Sequence, residues 1–304
     1  MTGERAGRGA TRCPARPGGS ARWVGVAATV LAVIAGTVVT LISGPGDAGV
    51  GGTAAAGDIG HVHALAVDPA TGVLHAATHH GLYRVDGADA AVRVSTHAPD
   101  LMGFTTVGPG HFVASGHPDP HARGPANLGL IESTDGGVTW NTIALSGAAD
   151  FHGLHAAHDT LYGYNSTDGA FMASTDRQVW EHRSLTVIGA FTVSPSRPDE
   201  VLAVGRNGLQ RSLDGGRSWQ LLPGTPSLAV LTWDTDQELF GVDADGGVWQ
   251  SSDGGVTWQR RGDADAPPHA LTRHGAKLYL AVAGERIIAS TDGGATWSTH
   301  YQPA

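Results

Sequence analysis

The chain repeats one eight-residue phrase four times. "STDGGVTW" (133–140), "SLDGGRSW" (212–219), "SSDGGVTW" (251–258) and "STDGGATW" (290–297) all read S-x-D-G-G-x-[ST]-W, and "STDRQVW" (174–180) is a degenerate fifth copy. The aspartates fall at 135, 176, 214, 253 and 292, a period of 38 to 41 residues. A fixed period of that length marks a chain built from repeated supersecondary units rather than around one large core. The last unit, "HALTRHGAKLYLAVAGERIIASTDGGATWSTHY", reads strand, turn, strand, turn, strand, phrase, strand. Units start near residues 61, 102, 151, 188, 227 and 268. The first lacks the phrase but keeps the strand order, and the second carries the Pro-rich insertion "GHPDPHARGPANLG" (116–129). Six units of four short strands predict an all-β, six-bladed β-propeller over residues 58–304.

Each residue of the phrase has a physical role in a turn. An Asp carboxylate accepts hydrogen bonds from turn N–H groups, Gly supplies positive φ, and Trp packs between sheets. The pairs Asp135/Trp140, Asp176/Trp180, Asp214/Trp219, Asp253/Trp258 and Asp292/Trp297 are therefore expected to be structural.

The phrase resembles the Asp-box, or BNR repeat, of sialidases, sortilin-type receptors and photosystem II assembly-factor propellers. That resemblance places the box on the turn between the third and fourth strands of a blade. The stretches "GHVHALAVDPATGVLHAATHHGLYRV", "MGFTTVGPGHFVASGHPDP" and "NLGLIESTDGGVTW" make the whole domain similar to bacterial membrane-anchored propellers labelled glycosyl hydrolase or sialidase-like. The label follows the repeat, and a fold does not fix a chemistry.

The N-terminus has its own logic. Residues 1–22 carry five arginines and one acid, and 23–43, "WVGVAATVLAVIAGTVVTLIS", contain no charged side chain. About 20 apolar residues span a bilayer as a helix, and a basic flank stays cytoplasmic. The expectation is a basic cytoplasmic tail (1–22), a transmembrane signal anchor (23–43), a Gly-rich linker (44–57) and an extracellular propeller. Cleavage near "GGTAAAG" (51–57) would instead leave the same domain secreted. From residue 58 on, 14 basic side chains face 26 acidic ones, a net charge near −12. That excludes nucleic acid as a partner and leaves a small ligand, a metal or an extracellular protein. The only cysteine, Cys13, precedes the apolar segment, so the propeller has no disulfide.

Sixteen histidines against one lysine ask for an explanation. In a propeller the loop into the first strand of a blade and the loop out of the second share one face. Aligning the first strands puts His63, Met102, His152 and His269 at one equivalent position near the channel mouth, with His61 just before. The second strands end at His79 and His80, at His117 and His121, and at Asn165, Arg206, Asp243 and Asp245. Imidazole is a common metal ligand and a thioether adds softness. A funnel of His61, His63, His79, His80, Met102, His117, His152 and His269 could suit copper or zinc, or form a polar pocket for an anionic or sugar ligand.

The enzyme alternative is a glycosidase. Sialidases hold a carboxylate with three arginines, whereas this face offers Arg206 and Arg123, and Tyr164 has no adjacent Glu. Another glycosidase needs two carboxylates about 5–9.5 Å apart, with Asp168 and Asp243, beside Asp100, Asp119, Asp150 and Asp245, as the available acids. No phosphate loop and no G-x-S-x-G elbow is present.

Overall fold

The computed structural model describes residues 59–88 and 90–303. The apolar segment 23–43 and its flanks lie outside them. The described residues form 24 strands in six four-stranded antiparallel sheets, each in chain order. Blade 1 contains β1 (Val62–Val67), β2 (Leu74–Thr78), β3 (Gly81–Gly87) and β4 (Ala90–Arg93). Blade 2 contains β5 (Asp100–Gly108), β6 (His111–His117), β7 (Leu130–Ser133) and β8 (Asn141–Ala144). Blade 3 contains β9 (Phe151–Ala157), β10 (Thr160–Asn165), β11 (Ala170–Ser174) and β12 (Glu181–Leu185). Blade 4 contains β13 (Ile188–Val193), β14 (Val201–Gly205), β15 (Gly208–Ser212) and β16 (Gln220–Leu221). Blade 5 contains β17 (Leu228–Trp233), β18 (Leu239–Asp243), β19 (Gly247–Ser251) and β20 (Gln259–Asp263). Blade 6 contains β21 (Pro268–His274), β22 (Lys277–Val282), β23 (Arg286–Ser290) and β24 (Ser298–Tyr301).

The first strands β1, β5, β9, β13, β17 and β21 neighbour one another in that order, and β21 returns to β1. The ring thus closes by packing, without a strand exchanged between the ends. Gln302 N–H donates to Ala88 O at 2.9 Å across that seam. Second strands are packed on both faces and read as apolar runs, such as "LHAAT" in β2, wholly buried. Fourth strands are rim strands, such as "NTIA" in β8, with no buried residue.

The core is divided into six apolar clusters, one at each blade junction. Trp140, Trp180, Trp219, Trp258 and Trp297 each pack into the junction with the preceding blade. Blade 1 lacks the phrase, and its junction with blade 6 is filled instead by Tyr83, Tyr279 and Tyr301.

The repeated turn is a closed hydrogen-bond circuit. In blade 2, Ser133 Oγ donates to Asp135 Oδ1 (2.8 Å) and accepts from Gly137 N–H (2.8 Å). Asp135 then accepts from Thr139 N–H (2.9 Å) and Thr139 Oγ (2.6 Å). The same bonds recur around Asp214, Asp253 and Asp292. The degenerate copy puts Arg177 at φ 62°, in a backbone region that suits glycine. Hydroxyl and N–H donors hold Asp135 and Asp253 down to about 2 from 3.8, and push Asp214 and Asp292 lower still. A carboxylate depressed in the folded state contributes stability above its unfolded pKa and loses it as pH falls through the folded one. The melting temperature of the full-length chain is therefore expected to fall between about pH 4 and 2. Asp135→Asn should lower it at neutral pH and flatten that acid limb. An unchanged slope would show that the turn acids are not the groups responsible.

Candidate functional site

Every first strand carries a β-bulge at the same place. The unpaired residues are His63, Met102, His152, Gly189, Ala229 and His269. A bulge inserts one residue that has no partner across the ladder and re-aims its side chain. The six positions ring the upper end of an axial channel of about 460 Å³, whose wall includes His63, His152, Gly189, Ala229 and His269. Two residues before each bulge stand His61, Asp100, Asp150, Val187, Ser227 and Pro267. Facing them at the second-strand exits are His79, His117, Ser166, Arg206, Ala244 and Ala283, as the registers and the flanking backbone bonds require. The chemistry-bearing side chains therefore occupy blades 6, 1, 2 and 3, while blades 4 and 5 present small or apolar residues and Arg206.

On the rich side the side chains form one continuous arc. His269 and His61 rings lie 4.1 Å apart, His61 and His63 4.8 Å, and His63 and His79 4.4 Å. His63 Nε2 is 3.3 Å from His79 Nδ1, which is 2.9 Å from Asp100 Oδ1. His63 Nε2 to Asp100 Oδ1 is 3.6 Å. The other oxygen of Asp100 is 3.5 Å from His117 Nδ1, and His117 Nε2 is 3.7 Å from Asp150 Oδ2. Asp150 ends the arc, with His152 Nε2 at 2.8 Å and a 2.8 Å bond from Ser166 Oγ. Gly116 in β6 permits the close approach of β5 that pairs Asp100 with His117, because a Cβ there would collide with the Asp100 carbonyl.

Electrostatics favour neutral imidazoles at the centre. Burial, reinforced by His79 and His61, pulls His63 down to about 4. Burial also lowers His61 and His269. Burial opposes ionisation of Asp150, yet hydrogen bonding to His152 and Ser166 outweighs it and holds the carboxyl below its ordinary range. The arc therefore offers lone pairs and carboxylate oxygens rather than a positive patch.

His63, His79 and Asp100 form a group of three donor atoms within mutual reach. Met102 stands half-buried at its bulge, and the group contains no sulfur. His80 is exposed, its N–H donating to Thr78 Oγ at 2.9 Å. The arc brings together His61, His63, His79, His117, His152 and His269. The sequence offers Asp100 and Asp150 only as available acids for a glycosidase pair, not as members of the histidine cluster. Their alignment with His61, two residues before each bulge, was the signal that places them in the funnel. Sequence reasoning also passed over His155, which lines the channel lower down and is drawn to about 4 by burial.

Asp168 and Asp243 are engaged in their own turns. Asp168 Oδ1 accepts from Asn165 Nδ2 (2.9 Å) and Ala170 N–H (3.1 Å). Asp243 accepts from Gly247 N–H and the Trp249 indole, each at 2.8 Å. Tyr164 is half-buried against the core of the blade 3–4 junction.

No family model matches the chain, and no curated protein does either. Solved structures do. A gluconolactonase from Xanthomonas campestris matches at 10% identity over 81% of this chain and 88% of its own, with a TM-score of 0.60. YCF48 bound to D1 peptide matches at 16% identity over 80% and 82%, with a TM-score of 0.52. A GH74 xyloglucanase from Xanthomonas campestris matches at 21% identity over 78% of this chain but 37% of its own, with a TM-score of 0.50. What is shared is the propeller. Identities this low carry no chemistry across.

Proposed function

We propose that this chain is a metal-binding propeller, held at the outer face of a membrane by its apolar N-terminal segment. It binds one divalent transition-metal ion at the channel mouth through His63 Nε2, His79 Nδ1 and Asp100 Oδ1. The observation that carries the reading is the size of the donor triangle, with edges of 3.3, 2.9 and 3.6 Å. Donors about 2.0–2.1 Å from a tetrahedral ion lie roughly 3.3–3.4 Å apart. Two imidazoles and one carboxylate favour zinc or copper(II) over calcium or magnesium, which prefer all-oxygen sets. The triangle contains no sulfur, so the soft Met102 thioether is not one of its donors. Three protein donors leave a coordination position open toward the mouth.

The test is a titration of the full-length chain, purified in detergent, with zinc and copper(II) at neutral pH. One equivalent is expected to bind more tightly than about 1 μM. Binding no tighter than that of a His-poor surface would sink the reading.

The glycosidase reading has less support, because both carboxylate oxygens of Asp243 and one oxygen of Asp168 are engaged by their own turns. The full-length chain is expected not to release sugar from aryl glycosides, sialosides included. Turnover lost in Asp243→Asn would restore that reading to first place.

A further inference from the structure

The two halves of the mouth differ in a way that metal binding alone does not require. At the bulge position, blades 1, 2, 3 and 6 carry His63, Met102, His152 and His269, whereas blades 4 and 5 carry Gly189 and Ala229. Nothing in the backbone or the packing demands that glycine. Gly189 has no positive φ, and a Cβ there would meet only Val204 O, at 3.8 Å. The mouth is therefore open on the side away from the donor triangle. On the rim of that side stands Arg206, in the position that His79 occupies in blade 1. Blade 4 lies directly across a six-bladed ring from blade 1. Arg206 is exposed and makes no side-chain hydrogen bond or ion pair among the described residues.

We infer, building on the metal reading, that this open half receives a dicarboxylate. One carboxylate of the ligand takes the open position on the metal, and the other pairs with Arg206. A guanidinium presents a planar fork that matches a carboxylate with two parallel hydrogen bonds. A zinc-like ion accepts a carboxylate oxygen as readily as a water. The acidic surface of the domain leaves these two opposed positive centres as the features that select such an anion. The empty space at Gly189 and Ala229 is where its carbon chain lies. The function thereby becomes recognition of a small organic dianion, with the metal as one of its two anchors.

The probe is the cobalt(II)-loaded full-length chain in detergent, whose visible absorption reports a change of metal ligand. Malonate, succinate, glutarate and adipate are titrated in turn, with acetate as the one-ended comparison. A saturable change is expected, tightest for one chain length and weaker for acetate. Arg206→Ala should weaken that best ligand by about 10–100-fold, the worth of a hydrogen-bonded charge pair. Gly189→Leu should abolish the change by filling the open half. Both variants should take up cobalt as the parent does. Arg123→Ala, another exposed cation on this face but on the blade 2 insertion, should bind as the parent. Equal affinity in Arg206→Ala, or acetate as tight as every dicarboxylate, would overturn the inference while leaving the metal site standing. Failure to take up cobalt at all would overturn the metal reading, and this one with it.

Discussion

Asp100→Asn is expected to lower the zinc affinity of the full-length chain by more than 100-fold, beyond the roughly 10–100-fold loss typical of residues that only orient a ligand. Asparagine keeps the shape but removes the charge and one anionic donor oxygen. His63→Ala should do the same, since it deletes the least exposed donor of the triangle, with 12% of its side chain accessible. His152→Ala touches Asp150, two links along the arc, and should cost about 10-fold or less. His158→Ala and His274→Ala, at the opposite turns, should cost nothing. Burial fixes the part of the pH dependence that His63 contributes. A metal needs the neutral ring, and an imidazole drawn down to about 4 is neutral throughout the range from 7 to 5. Proton competition at His63 should then set in only near pH 4, well below the unperturbed value of about 6.5. Competitive titration with a chromophoric chelator reads all of these affinities. If His158→Ala loses as much as His63→Ala, the histidines bind adventitiously and the donor triangle is not the site.

The fold was legible because a repeat states its evidence several times. One D-G-G turn could sit in many architectures, but five aspartates at a near-constant period demand a unit that is copied. The strand order of one blade then transfers to all six, including blade 1, which lacks the phrase. The face on which the histidines gather was legible for the same reason. Their angular arrangement was not. It depends on the bulge in each first strand, and a bulge is a matter of register between two strands rather than of composition. Aligning the starts of the first strands puts His63, Met102, His152 and His269 at one equivalent position, and the bulges keep that equivalence. What sets His63 apart within that ring is its contact with His79 of its own blade and Asp100 of the next. Asp100 and Asp150 look like ordinary loop acids in a one-dimensional reading because their partners, His79, His117 and Ser166, come from other strand ends.

The largest structural effect should come from the second glycine of the repeated turn. Gly216 adopts φ +91°, and a Cβ there would overlap the ring of Phe171 in the preceding blade. That ring cannot move aside. Phe171 is fully buried, with Phe191 and Trp219 edge-on at 5.0 and 5.3 Å. Gly216→Ala therefore incurs two penalties, about 1–2 kcal/mol for a Cβ in a left-handed backbone and about 1–3 for overpacking. Their sum, roughly 2–5 kcal/mol, is a large fraction of the 5–15 that holds a typical domain together. Gly136, the first glycine of the blade 2 turn, separates the two penalties. Its φ is +75°, yet a Cβ there meets nothing within 4 Å. Gly136→Ala should lose only the backbone part, about 1–2 kcal/mol. Trp258→Ala, which empties half-buried space at the blade 4–5 junction, should fall between them or near the larger value, at about 3 kcal/mol. Denaturant midpoints of the three variants give the ranking directly. Equal losses for Gly216→Ala and Gly136→Ala would mean that the turn requires glycine for its backbone alone. The docking of each turn against the preceding blade would then not be what fixes the spacing of the ring.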